Sequence, residues 1–136
     1  MSRPSIAVVA FDQISPFHLS VPCLVLGEAH SGVSPFDLRV CAVEPGAINT
    51  TAGFSLGIRH DLSVLASADS IIVLSWRDPG ERAPEPLLQA LSAAQQRGAQ
   101  VVGLCLGAYV LAQAGLLDGR RATTHWAYAQ DLGMRN

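Results

Sequence analysis

Charge is scarce in this chain. Only 15% of the 136 residues are Asp, Glu, Lys or Arg, the formal net charge is -2, and no basic run exceeds Arg120-Arg121. An electrostatic footprint for nucleic acid is therefore missing, and the chain by itself is not expected to bind DNA. Long apolar stretches are also lacking. Met1 to Pro4 does not open a signal-peptide h-region, and no uninterrupted apolar run approaches the ~20 residues of a membrane span, so a cytoplasmic location away from membranes is expected. Cysteine is too sparse to build a framework. Cys23, Cys41 and Cys105 are odd in number and form no C-x-x-C pair, which argues against both disulfides and a zinc site. Cys23 and Cys41 read as small core residues. No cofactor and no metal is expected.

What the chain does contain is apolar surface to bury. At 49% hydrophobic residues it can form one substantial core, and a single domain is expected. Ile6 to Ala10, Leu38 to Val43, Ile71 to Leu74 and Val101 to Leu104 are short apolar runs without polar alternation, the pattern of strands covered on both faces of a parallel sheet. Between the last two, Leu87, Leu88, Leu91 and Ala94 recur at helical spacing over Glu85 to Arg97, and Gly98 supplies a left-handed stop. These elements make a βαβ unit. A further helix is expected over roughly Ser20 to Ala29 with Pro22 in its first turn, leaving Phe17 and His18 at or before its start. Asn49 to Ile58 reads as a small hairpin or an extended excursion, and Asp78 to Pro84 as a polar, proline-rich loop. The expected fold class is α/β, a parallel sheet sandwiched by helices.

The most informative segment is Gly103-Leu104-Cys105-Leu106-Gly107. A strand that turns at once into a helix holds the turn residue in a strained conformation and needs small neighbours, so this reads as a nucleophile elbow with Cys105 at its apex. The plainer reading is a buried cysteine in a strand-to-helix turn. In an open α/β sheet, ligands gather beyond the carboxyl ends of the strands, where the loops carrying His18, Ser75-Trp76-Arg77 and Cys105 should converge. A nucleophilic thiol needs a base or charge partner and donors for a developing oxyanion. His125, twenty residues beyond Cys105, is one partner; it reads equally as a histidine capping a strand end. His18 is a second partner, or a cap for the following helix. The N–H of Leu106 is the default oxyanion donor, with a second from the turn at Ser75 and Trp76. Trp76 either walls the pocket or packs in the core. His30 and His60 read as surface residues, and Arg77-Asp78 as an exposed ion pair.

The run from Gly103 through Thr123-Thr124-His125-Trp126 resembles the class I glutamine amidotransferase-like (PfpI superfamily) domain at the front of GlxA-type AraC-family transcriptional regulators. Pro16-Phe17-His18-Leu19, Glu44-Pro45-Gly46 and Trp76-Arg77-Asp78-Pro79 are similar to further signatures of that group. The resemblance implies a flavodoxin-like α/β sandwich, commonly dimeric, that senses a small metabolite while a C-terminal helix-turn-helix module binds DNA. That module is absent from these 136 residues, and the domain is expected to be incomplete at its C-terminal end. Three departures stand out. His18 occupies the position of an acidic residue that touches the cysteine in catalytic relatives, Leu106 stands where protease-type members carry histidine, and Ser75 replaces a turn glycine. The sequence thus leads to a non-enzymatic sensor of an unknown small-molecule effector, with His18, Ser75, Trp76, Cys105, Leu106 and His125 around the ligand. The competing reading is a cysteine-dependent hydrolase, hydratase or glyoxalase-type enzyme using Cys105 and His125. A third is redox sensing at the Cys105 thiolate.

Overall fold

The four apolar runs pair side by side in one parallel sheet. A computed structural model describes residues 4–27, 35–44, 46–78 and 80–116. In it β1 (Ser5–Ala10) lies between β2 (Asp37–Ala42) and β5 (Ser70–Val73), and β6 (Gln100–Gly103) pairs with the far edge of β5. Ile6 sits opposite Leu38 on one side and Ser70 on the other, and Ile71 opposite Val101. Residues 6–10 of β1 are all buried, which explains why that run shows no polar alternation.

Strand order reverses direction across β1. The chain moves one way to β2 and the other way to β5 and β6, and right-handed crossovers then put the β1–β2 and β5–β6 connections on opposite faces of the sheet. Such a reversal opens a crevice beyond the carboxyl ends of the central strands, here β1 and β5. The parallel sheet flanked by helices is the fold that the apolar runs implied.

The β5–β6 crossover helix, α2 (Glu85–Gln96), begins after Pro84 and buries Leu87, Leu88, Leu91 and Ala94. Gly98 follows at a φ of +100° and ends it. A second helix, α3 (Gly107–Gln113), follows β6 and buries residues 107–111. The short antiparallel pair β3 (Ile48–Asn49) and β4 (Ser55–Leu56) forms the expected hairpin, closed by the Thr50 amide and hydroxyl, both donating to the Phe54 carbonyl. A 3-10 turn over Leu62–Ala66 is capped by the Asp61 carboxylate, which accepts from the Ser63 amide.

One helix differs from its sequence reading. The first, α1, spans Pro16–Pro22, with Ser15 before it and Pro16 in its first turn, so Phe17 and His18 lie inside it. Pro16 takes the tolerated first-turn place that Pro22 was expected to take. Pro22 comes at the other end, where its missing N–H cannot continue the α-helical ladder, and the backbone widens into a π-helical turn over Cys23–Gly27. His18 is therefore carried on a helix above the sheet end rather than in a loop.

Candidate functional site

The chain turns from β6 to α3 in three residues. The Leu104 amide still donates to the Val73 carbonyl at 2.9 Å, as if the strand continued. Cys105 then adopts a φ of +51°, a left-handed conformation costly for any residue with a Cβ, and Leu106 is already right-handed helical. Backbone bonds from Gly107 to Leu104 (2.8 Å), from Ala108 to Cys105 (3.3 Å) and from Tyr109 to Leu106 (3.1 Å) lock the turn. The first amide spent in this way is that of Gly107, which leaves the Leu106 N–H outside the turn's own bonding. Gly107 must be glycine, because a Cβ there would fall 2.0 Å from the Val73 carbonyl oxygen. Cys105 itself is exposed.

A cleft of about 310 Å³ opens beside this turn. Ile72 and Leu74 form its floor at the end of β5, and Leu104 and Cys105 form one wall. The opposite wall is helical, made by His18, Val21 and Pro22 of α1 with Leu26 of the π-helical turn. Thus His18 and Cys105, both singled out in the sequence, line one cleft. The His18 Nδ1 is buried and has no hydrogen-bond partner among the described residues.

Other expected site residues lie elsewhere. Ser75 is buried directly after the cleft floor, its hydroxyl 3.4 Å from the Trp76 carbonyl oxygen. Its amide nitrogen is within 3.3 Å of where a Gly107 Cβ would stand, so the β5 turn packs closely against the start of α3. Trp76 is in the core rather than the cleft lining. It is 1% exposed, its ring lies 5.0 Å from that of Phe11, and its indole N–H donates to the Glu81 carbonyl. His125 and His30 lie outside the described residues. His60 is half-buried, with its carbonyl accepting the Ala42 amide at 3.0 Å.

The expected exposed pair of Arg77 with Asp78 does not form. The guanidinium of Arg77 instead grips Glu81 at 2.7 Å and Glu44 at 3.0 Å, donates to the Asp12 carbonyl at 3.0 Å, and lies over the Trp76 ring. Five donors in a planar fork can serve all these acceptors at once, which a single neighbouring carboxylate cannot match. The two carboxylates raise the Arg77 pKa further. Asp78 turns away and accepts from the Gly80 amide. Glu44 also accepts from the Asp12 amide, so one cluster ties together the loops after β1, β2 and β5. The sequence reading named none of Asp12, Glu44 or Glu81 as a partner of Arg77. The four-residue spacing from Arg77 to Glu81 is the one local signal that could have found any of them.

The remaining cysteines are quiet. Cys41 is fully buried in β2, and burial pushes its thiol up to about 12. Cys23 is partly buried against the core. Among the described residues no three His, Cys, Asp or Glu side chains are grouped to hold a metal ion, and no helix is long and apolar enough to cross a membrane.

Comparison with known proteins places this geometry. Over 131 residues the chain is 30% identical to a Streptomyces lividans protein described only by its position in the cpoL 5' region, covering 96% of this chain and 93% of that one. It is 34% identical over 88 residues to the HTH-type transcriptional regulator CdhR of Pseudomonas aeruginosa, covering 65% of this chain but 26% of the regulator. A shorter match, 46% over 56 residues, is to isonitrile hydratase of Pseudomonas putida, covering 37% of this chain and 25% of the hydratase. Among solved structures, an AraC family transcriptional regulator from Pseudomonas putida superposes with a TM-score of 0.69 at 22% identity, over 98% of this chain and 72% of that one. The model of the DJ-1/PfpI family matches residues 4–136. From the apolar parallel strands to the cysteine turn after β6, the chain belongs to the DJ-1/PfpI family.

Proposed function

We propose that the chain is the ligand-sensing domain of an AraC-type transcriptional regulator, one that binds a small-molecule effector beside Cys105 without turning it over. The observation that carries this reading is the composition of the cleft. Its lining joins a strained, exposed cysteine to apolar side chains and one histidine, with no carboxylate among the described residues that form it. An elbow of this shape without an acid partner retains the means to hold a ligand but lacks a group that catalytic relatives are expected to use. The family's regulators, CdhR among them, support the same assignment. DNA contact then belongs to a separate helix-turn-helix module, and the sensor acts as a homodimer in the cytoplasm.

One observation favours a second reading. Cys105 sits at an elbow with the Leu106 N–H free of the turn's bonding, and part of the chain is 46% identical to an isonitrile hydratase. On that reading Cys105 attacks an electrophilic carbon, His125 or His18 relays the proton, and the Leu106 N–H meets the developing charge. The two are separated by incubating the protein and its Cys105→Ala variant with amide, ester, isonitrile and glyoxal-type substrates. The sensor reading expects no product above background from either protein. Steady product formation that disappears in Cys105→Ala overturns it in favour of the enzyme.

A further inference from the structure

We propose that the effector is an uncharged, largely apolar small molecule carrying a single hydrogen-bonding group, which pairs with the imidazole of His18. This rests on the sensor reading and names the ligand class for the same cleft. Three observations carry it.

The first is the lining. Val21, Leu26, Ile72, Leu74 and Leu104 present only hydrocarbon, and among the described residues no Asp, Glu, Lys or Arg contributes to the cleft. An ion entering it would lose hydration with no opposite charge to replace it, a cost that grows steeply as the site dries. A hydrocarbon body meets no such cost and gains from each apolar surface it covers.

The second is His18. Among the described residues of that lining, its imidazole is the one hydrogen-bonding side chain apart from the Cys105 thiol, and its Nδ1 is buried with no partner among the described residues. Buried polar nitrogens are nearly always satisfied, so an orphan beside a cleft marks hydrogen-bonding capacity not spent on the protein. Rotation of the ring about χ2 exchanges Nδ1 with a carbon and can present that nitrogen to an occupant. An imidazole ring nitrogen can pair with a hydroxyl, carbonyl or similar neutral function, which brings no charge into the apolar lining.

The third is size. About 310 Å³ is at the lower end of the range for small-molecule sites, room for a compact ring or short branched chain rather than a nucleotide. The charged surface nearby is committed elsewhere, because Arg77 is held by Glu44 and Glu81.

Four probes that share a six-membered ring test the class: cyclohexanol, methylcyclohexane, cyclohexylammonium and cyclohexanecarboxylate. Each is titrated into the full chain with methyl resonances of Val21, Leu26, Ile72, Leu74 and Leu104 and the His18 ring signals followed by NMR. The expected result is that cyclohexanol moves these signals and binds about tenfold or more tightly than either ion. In His18→Leu its affinity should drop to that of methylcyclohexane, while Leu104→Trp, which fills the cleft, should abolish binding of both. A charged probe that binds the same methyls as tightly as cyclohexanol overturns the ligand class and leaves a small-molecule site standing. An unchanged preference for cyclohexanol in His18→Leu removes the role of the imidazole. Cleft signals that respond to none of the probes, or to protein concentration alone, overturn both the class and the sensor reading, the latter case by seating a second copy of the chain there.

Discussion

Two cysteines sixty-four residues apart in the sequence are opposites in behaviour, and the difference lies in their backbone and burial. Cys105 is exposed at a φ of +51°, whereas Cys41 is sealed inside β2. A left-handed residue with a Cβ costs about 1 kcal/mol or more, a strain that glycine escapes. Cys105→Gly should therefore be more stable than Cys105→Ala by about 1 kcal/mol in urea unfolding, a reversal of the usual order for a residue beside a helix; equal midpoints would remove the strain. For Cys41 the prediction concerns pH. Its folded thiol is pushed from the ordinary 9.0 up to about 12, so between those values the unfolded chain loses a proton that the folded chain keeps. Fewer protons on the unfolded state make stability fall as pH rises, by up to about 1.4 kcal/mol per unit over that window. The loss should be visible as the difference between wild-type and Cys41→Ala stability curves from pH 8.5 upward, and parallel curves would refute it. At this scale the sequence was uneven. The strain at Cys105 was readable from its flanking glycines, because only a tight turn asks for small residues on both sides. The burial of Trp76 was not, since an aromatic side chain suits a pocket wall and a core equally.

At the scale of elements, the strands were legible because burial on both faces of a parallel sheet writes itself as unbroken apolar runs. Helix α2 was legible through the spacing of Leu87, Leu88, Leu91 and Ala94. Helix α1 was misplaced by several residues, and the cause is two prolines six residues apart. Either can open a helix, and local sequence favours Pro22 only if the segment before it is taken as loop; in the fold Pro16 opens the helix and Pro22 disrupts its end. That choice decides where His18 sits, and hence half of the cleft. The junction of β5 with α3 supplies an element-scale prediction. Because a Cβ on Gly107 would lie 2.0 Å from the Val73 carbonyl oxygen and 3.3 Å from the Ser75 amide, Gly107→Ala must push α3 off the sheet edge. Overpacking of this kind costs about 1–3 kcal/mol, and with backbone as the obstacle the upper end is expected. The variant should also speed alkylation of Cys105, since the turn that holds it is displaced. Wild-type stability and thiol reactivity in Gly107→Ala would show that the approach is looser than described.

For the whole molecule, what holds the cleft end of the sheet in shape is a cluster of which local spacing announces only the Arg77–Glu81 part. Arg77 follows β5, Glu44 follows β2 and Asp12 follows β1, and the guanidinium joins all three while Glu81 anchors it from its own loop. The partners Arg77 and Glu44 are separated by 33 residues, so their meeting depends on strand order and register, which composition and periodicity leave open. The sheet order itself brings the three loops to one end, where a polar clamp among them ties their positions together beside the cleft. The Arg77 side chain is 20% exposed and that of Glu44 29%, enough burial for charge-assisted bonds to exceed a surface pair and too much solvent for a fully desolvated one. Arg77→Ala should accordingly cost about 2–3 kcal/mol, because it breaks several charge-assisted bonds and uncovers the Trp76 face. Arg77→Lys should recover less than half of that, as an ammonium cannot serve Glu44, Glu81 and the Asp12 carbonyl from one plane. A double-mutant cycle with Glu44→Gln isolates the link between loops, with a coupling of about 1 kcal/mol expected at low salt and a smaller value at high salt. If the clamp shapes the cleft as well as the fold, cyclohexanol binding will weaken in Arg77→Ala even though Arg77 does not line the site. Undiminished binding in a destabilised variant would confine the clamp to stability, and a coupling indistinguishable from zero would dissolve it into three independent loops.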